Sequence, residues 1–204
     1  MPLIRKPLDP SRAQSLPPAE DVLRALVNGN QEERWAAARA AADVPGGADA
    51  LAKALSSESD PRVREAMFTS LARPGSPAID ALVRFLRSDD ASLRTGALDV
   101  LRMLHDVDRQ LLPTLMNDPD NDVRVLSCEV VRGFASNEAT QLLCDLLSRE
   151  KEPNVCAAAV DVLAEVGTAA ALPILAECEA RFRHTPFLAF AIKVATARII
   201  EQSK

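Results

Sequence analysis

The heptapeptide Asp60-Pro61-Arg62-Val63-Arg64-Glu65-Ala66 recurs at a nearly fixed interval, and that recurrence limits the fold more than any other feature of the chain. Thirty residues on stands Asp90-Ala91-Ser92-Leu93-Arg94-Thr95-Gly96, and thirty further Asp120-Asn121-Asp122-Val123-Arg124-Val125-Leu126. Thirty residues upstream lies Asn30-Gln31-Glu32-Glu33-Arg34-Trp35-Ala36. A fifth, altered copy, Glu152-Pro153-Asn154-Val155-Cys156-Ala157-Ala158, is displaced by thirty-two. A period of this length marks a stack of like supersecondary units, none of which can bury its apolar face alone.

Each repeat reads as a pair of helices. Asp60 is placed to N-cap the first, with Pro61 at the opening position, where a missing N–H costs nothing. Val63, Ala66, Met67, Ser70 and Leu71 follow at helical spacing. Arg73-Pro74-Gly75 ends that helix. Ser76 and Pro77 open a second, whose apolar stripe is Ile79, Leu82, Val83 and Leu86. The register transfers to the other copies. Seven residues after the repeating Arg come Ala41, Leu71, Leu101 and Val131, with Leu163 after Cys156. Eighteen after it come Leu82, Leu112, Leu142 and Ile174, and twenty-two after it Leu86, Met116, Leu146 and Cys178. The first repeat is one residue short there, with Leu51 and Leu55 in those places.

The expected architecture is all-α. One domain spans 19–204, with repeats at about 31–57, 60–88, 90–118, 120–149 and 152–181. A short helix over Ala19–Asn28, stopped by Gly29, caps one end, and a helix over 186–202 caps the other. Residues 1–18 carry Pro2, Pro7, Pro10, Pro17 and Pro18 and read as an extended or disordered arm. Composition agrees: 48% of the 204 residues are hydrophobic, aromatics are 3% and Tyr is absent, which favours helices over strands. A net charge of −5 argues against a nucleic-acid partner. No apolar run approaches the roughly 20 residues of a membrane span, and the stretch after Met1 lacks the apolar core of a signal peptide. A soluble cytoplasmic protein is expected.

The Asp-x-x-Val-Arg opening and the Leu-rich second helices resemble HEAT repeats over about residues 30–180, most closely the short variety of phycobilin-lyase-type HEAT-like proteins. The resemblance implies a right-handed α–α superhelix of about five helix pairs, with second helices on the concave side and first helices on the convex side. With no catalytic constellation in view, the expected role is a non-enzymatic protein-binding scaffold or adaptor, without a cofactor. The alternative that the resemblance carries is a bilin-lyase-like or cofactor-loading chaperone subunit. A third relative, the DNA alkylation-repair glycosylases, fits poorly with the negative charge and with the single Trp, Trp35, on a first helix.

Recognition is expected on the concave face. There the second helices carry Asp80, Arg84 and Arg87, then Gln110 and Thr114, then Gln141, Cys144 and Asp145. Phe85, Leu111 and Leu115 flank them, either as an apolar patch rimmed by charge, a common mark of a protein interface, or with Phe85 leaning into the core between repeats. Arg64, Arg94 and Arg124 stand four residues after Asp60, Asp90 and Asp120, a favourable spacing that suggests a structural ladder between repeats, altered where Cys156 replaces Arg. The turn acids Glu58, Asp60, Asp89, Asp90, Asp118, Asp120, Asp122, Glu150 and Glu152 are expected along one edge, as a solvated border or a lip that steers a basic partner.

Candidates for metal or catalytic chemistry are weak. Cys128, Cys144, Cys156 and Cys178 form no C-x-x-C pair; Cys128 and Cys178 fall on core positions and Cys144 on an outward one. His105 and His184 lack the His-Glu pairs of HEAT-built deoxyhypusine hydroxylases. Asp118 to Glu129 mimics a calcium loop, but Val123 holds the place that needs Gly, and the repeat register makes the segment helical. The last helix is apolar nearly all round, so Phe187, Phe190 and Ile200 are expected either to pack within the chain or to support a homo-oligomer.

Overall fold

A computed structural model describes residues 18–73, 79–104 and 111–202. Among these residues all regular structure is helical, as the thirty-residue beat requires. The proline-rich arm to residue 17 and the Ser76–Pro77 cap lie outside the described residues, as do His105 and Gln110. The chain packs as two compact units, one up to Leu71 and one from Ala72. The division falls inside the 60–88 repeat, between its first and second helices.

In the N-terminal unit, α1 (Ala19–Asn28), α2 (Gln31–Ala41), α3 (Gly47–Leu55) and α4 (Pro61–Leu71) form two layers: α2 lies against α4, and α1 against α3. Asn30 opens α2 with a complete capping box, its Oδ1 accepting from Glu33 N while Glu33 Oε2 accepts from Asn30 N. Asp60 Oδ1 opens α4 by accepting from the N–H groups of Arg62 (2.9 Å) and Val63 (3.1 Å). Gly29 does follow α1, but for a different reason than a left-handed stop. Its φ is −71°, and a Cβ there would lie 2.6 Å from Ala25 O and 2.8 Å from Glu33 Cβ. Glycine is needed because the Ala25 carbonyl at the end of α1 and Glu33 at the start of α2 both come too close for a side chain. Among the described residues the left-handed glycine is Gly46, at φ 72°, ahead of α3.

The C-terminal unit contains α5 (Ile79–Leu86), α6 (Ala91–Met103), α7 (helical residues 111–115), α8 (Asn121–Val131), α9 (Ser136–Arg149), α10 (Pro153–Val166), a 3-10 turn at Ala169–Ala171, α11 (Leu172–Arg181) and α12 (Pro186–Gln202). First helices α6, α8, α10 and α12 lie in a row, each against the next, with α9 against α11 beside them. Val123–Glu129 is helical within α8.

The core follows the repeat register. Ala41, Leu71, Leu101, Val131 and Leu163, seven residues after the Arg or Cys position, are all buried, as are Leu86, Met116, Leu146 and Cys178. Fully burying one such leucine is worth roughly 2 kcal/mol, and a ring of them in every repeat makes stacking obligatory. One column slips: Leu142 and Ile174 are half-buried, and the neighbouring Leu143 and Leu175 take the sealed positions.

Helix α12 repeats the first-helix register of α10 with an offset of thirty-three: Val155, Ala159 and Val162 correspond to Leu188, Ile192 and Ala195, all buried. The other side diverges. Where α10 buries Val160 and Leu163, α12 puts exposed Lys193 and half-buried Thr196. The outer positions diverge too. Glu32, Arg62, Ser92, Asp122 and Asn154 stand where α12 carries Phe187 (51% exposed), and Phe190 is 70% exposed where α10 has Ala157.

Candidate functional site

The repeating arginines do not spend their hydrogen bonds as i, i+4 partners of the capping aspartates. Each instead reaches back to a carbonyl in the turn before its own helix. Arg64 Nε donates to Glu58 O, Arg94 Nη1 to Ser88 O (2.6 Å) and Arg124 Nη1 to Asp118 O (2.7 Å), always six residues earlier. In the altered fifth repeat, Cys156 Sγ takes that place, 4.0 Å from Glu150 O. Arg34 makes the equivalent bond to Gly29 O (3.0 Å). Asp60, Asp90 and Asp120 accept instead from the cap N–H groups of Arg62, Ser92 and Asp122, and Asp60 Oδ2 also accepts from Gln31 Nε2.

The same guanidinium groups also reach forward. Arg34 Nε and Nη2 hold Glu58 at 2.6 and 3.1 Å, and Arg124 Nε and Nη2 hold Glu150 at 2.7 and 3.1 Å. These are bidentate pairs, the strong form of a charge-assisted contact. Glu58 Oε1 in turn accepts from the N–H groups of Ser59 and Asp60, and Glu150 Oε1 from those of Lys151 and Glu152. Asp118 pairs with Arg87, and its Oδ1 accepts from Asp120 N. Three acids of the expected edge, Glu58, Asp118 and Glu150, are therefore buried structural groups and not part of a solvated border. Their two carboxylate oxygens are what the turn needs to tie its own backbone to a neighbouring helix.

Electrostatics follow from this geometry. The Arg34 hydrogen bond is the main reason the Glu58 carboxyl titrates below its ordinary range, against an opposing push from burial. At Glu150, burial pushes up most strongly, but Arg124 and the Glu152 and Lys151 N–H groups together outweigh it and leave the carboxyl below the ordinary range.

A second network has no motif in the sequence. Arg102 Nη2 meets Glu129 Oε2 at 3.1 Å, linking α6 to α8. Arg132 meets Glu129 Oε1 and Asp161 Oδ2, at 3.1 and 3.0 Å, and also pairs with Glu165, linking α8 to α10. Hydrogen bonds from Glu129 and then Glu165 push the Arg132 guanidinium further up.

The expected recognition face is only partly on the surface. Asp80 and Arg84 on α5, Arg87 in the turn after it, Thr114 on α7, and Gln141 and Asp145 on α9 are exposed. Phe85 is only 8% exposed and Leu115 is buried, while Leu111 is half-buried. The expected apolar patch of Phe85, Leu111 and Leu115 is thus corrected: a helix of eight residues such as α5 supports its packing with half its positions, and Phe85 joins Ala81, Leu82 and Leu86 inside. What stays outside is polar. Arg84 makes no ion pair among the described residues.

Cys128, Cys156 and Cys178 are buried and Cys144 is half-buried; all four are free thiols. Burial pushes Cys128 up to about 12. The neighbouring Cys178 thiol and then burial hold Cys156 up, while Cys156 and Arg181 draw Cys178 down. Arg181 also donates to Leu147 O and to Ser148 O (3.1 Å), tying α11 to the end of α9.

Residues 18–102 and 109–181 match the family described as HEAT repeats. The fold is similar to that of Cex1p, at 15% identity and TM-score 0.51, over 83% of this chain and 39% of that one. An engineered protein (17% identity, TM-score 0.44, 90% of this chain and 98% of that one) and a designed armadillo repeat protein (16%, TM-score 0.40, 89% and 99%) are more distant in shape. No curated protein matches.

Proposed function

Because this chain belongs to the HEAT-repeat family, we propose that it serves as a non-enzymatic protein-binding scaffold, recognising its partner on the outward face of the second-helix layer. Folds of this kind are typically protein-binding and generally non-catalytic. The observation that carries the reading is the split character of α5: Ala81, Leu82, Phe85 and Leu86 are sealed inside, while Asp80 and Arg84 stand in solvent. Thr114, Gln141 and Asp145 give α7 and α9 the same polar outer positions. Such a face binds through charge and hydrogen bonds, with Arg84 the strongest single donor because its guanidinium is uncommitted. The net charge of −5 supports a protein partner over a nucleic acid. The free thiols fit a reducing, cytoplasmic setting. Nothing on this face favours the bilin-lyase alternative.

Affinity purification from the native cell tests this. One stoichiometric protein partner is expected, lost on Arg84→Glu and retained on Lys193→Glu; retention on Arg84→Glu overturns the choice of face. Phe85→Ala is unsuitable because Phe85 is core and its loss destabilises the fold.

A second reading rests on Phe187 and Phe190. We infer that this exposed pair on α12 supports self-association, since Phe187 occupies an outer position that the other first helices fill with polar residues, and Phe190 one that, apart from Trp35 on α2, they fill with polar or smaller residues. Light scattering at high concentration is expected to show a dimer that Phe190→Glu converts to monomer. A strict monomer in the unaltered chain overturns it.

A further inference from the structure

Apart from the second-helix face of the C-terminal unit, the N-terminal unit holds a groove of about 580 Å³ between α1 and α3. One wall is the Leu23–Val27 stripe of α1, a full turn of apolar side chains, with buried Leu26 as the floor. The other wall is Ala50 and Ala54 of α3, again one turn apart. Two alanines facing two larger residues keep the groove open, because neither methyl reaches across. Val27 stands 69% exposed at the rim, a high value for a valine on a helix already packed on two neighbours. The far end is closed by the Arg34–Glu58 pair and the Ser57–Ser59 turn.

Charge separates the mouth from the end. The end is internally neutralised, since Arg34 and Glu58 satisfy each other. At the mouth Lys53 is exposed and makes no ion pair among the described residues, including with Asp49 one turn earlier on α3. The groove therefore offers an apolar slot one helical turn long beside one uncompensated cation. Its volume lies within the range of ligand and peptide sites.

We propose that this groove docks an amphipathic helix of a partner protein, one that presents apolar side chains at i and i+4 and a carboxylate beside them. The one-turn spacing on both walls matches a helix laid in a groove, and the unpaired Lys53 matches the carboxylate. A polyanionic segment is disfavoured, because the whole chain carries −5 and repels it at long range. The site is independent of the Arg84 face, so each can fail without the other.

The test is a nitrogen-15 NMR titration of the full chain with two synthetic 14-residue helical peptides. Both carry leucines at i and i+4; one has a single glutamate beside them and the other a single lysine, so neither is polyanionic. The glutamate peptide is expected to shift the Val27 and Ala54 amides and to bind about tenfold more tightly than the lysine peptide. Lys53→Glu reverses that order, and Val27→Asp, at an exposed position that tolerates change, weakens both peptides. Arg84→Glu leaves the titration unmoved. Equal binding of the two peptides, an order that survives Lys53→Glu, shifts confined elsewhere, or no shift at millimolar peptide overturns the proposal.

Discussion

The turns at Glu58 and Glu150 share one construction, and the turn at Asp118 departs from it. In the first two, the arginine of the preceding first helix, Arg34 or Arg124, grips the carboxylate with two nitrogens. At Asp118 the partner is Arg87, from the end of a second helix, while Arg94 is occupied with Ser88 O. The side chains differ by one methylene. A glutamate spans from the turn back to the preceding first helix while its Oε1 still caps the turn N–H groups. An aspartate caps with equal ease but falls short of that reach, so a nearer cation serves it. The repeat conserves the job of the turn acid, and the length of the acid decides which helix it is tied to.

The largest effect expected from breaking this arrangement is at Arg124→Ala, which strands the buried Glu150 carboxylate. A loss of about 3 kcal/mol in unfolding free energy is expected by denaturant titration. Arg34→Ala has the same sign and a smaller size, because the Arg34 side chain is 25% exposed and Arg124 only 14%. Glu58→Asp, which imposes the Asp118 chemistry on the first turn, keeps the backbone caps but gives up the bidentate contact. It is expected to cost about 1 kcal/mol, and Asp118→Glu is the complementary exchange. The acid response is the mildest probe. Glu58 and Glu150 both titrate below the ordinary carboxylate range in the folded chain. Their stabilising contribution is therefore complete above the unfolded value of about 4.3 and is lost as pH falls through the depressed folded values. The melting temperature is expected to hold from pH 7 to about 5 and to decline below 4, with a shallower decline in the Arg34→Ala, Arg124→Ala double variant.

Legibility from sequence tracked how local the signal was. Ala41, Leu71, Leu101, Val131 and Leu163 were all found in the core, because a buried stripe repeats with both the helical and the thirty-residue period. Leu142 against Leu143 and Ile174 against Leu175 show where a repeat template fails: helix rotation by part of a residue moves the sealed column by one. Leu115 was misplaced outward, and Phe85 was left between an outer patch and the core, because a short helix packed on two sides has little outer face left. The Arg102–Glu129–Arg132–Asp161 network was invisible, since partners about a repeat apart leave no pattern within a helical turn. Gly29 looked like an ordinary stop signal, and its cause is a steric approach from Glu33, which only three-dimensional packing reveals.

A row of like hairpins has no intrinsic reason to cease growing, since whatever surface welcomes one neighbour welcomes the next. Helix α12 supplies that reason by a change of two letters. With Lys193 in the place of Val160 and Thr196 in the place of Leu163, its far flank holds water where its predecessor sheds it. A free repeat, whether from another molecule or from a misfolded copy of this one, would have to strip a lysine of its hydration to join the row there. Protection against runaway end-to-end polymerisation is thus written into a single helix, and a Lys193→Val, Thr196→Leu chain would have it erased.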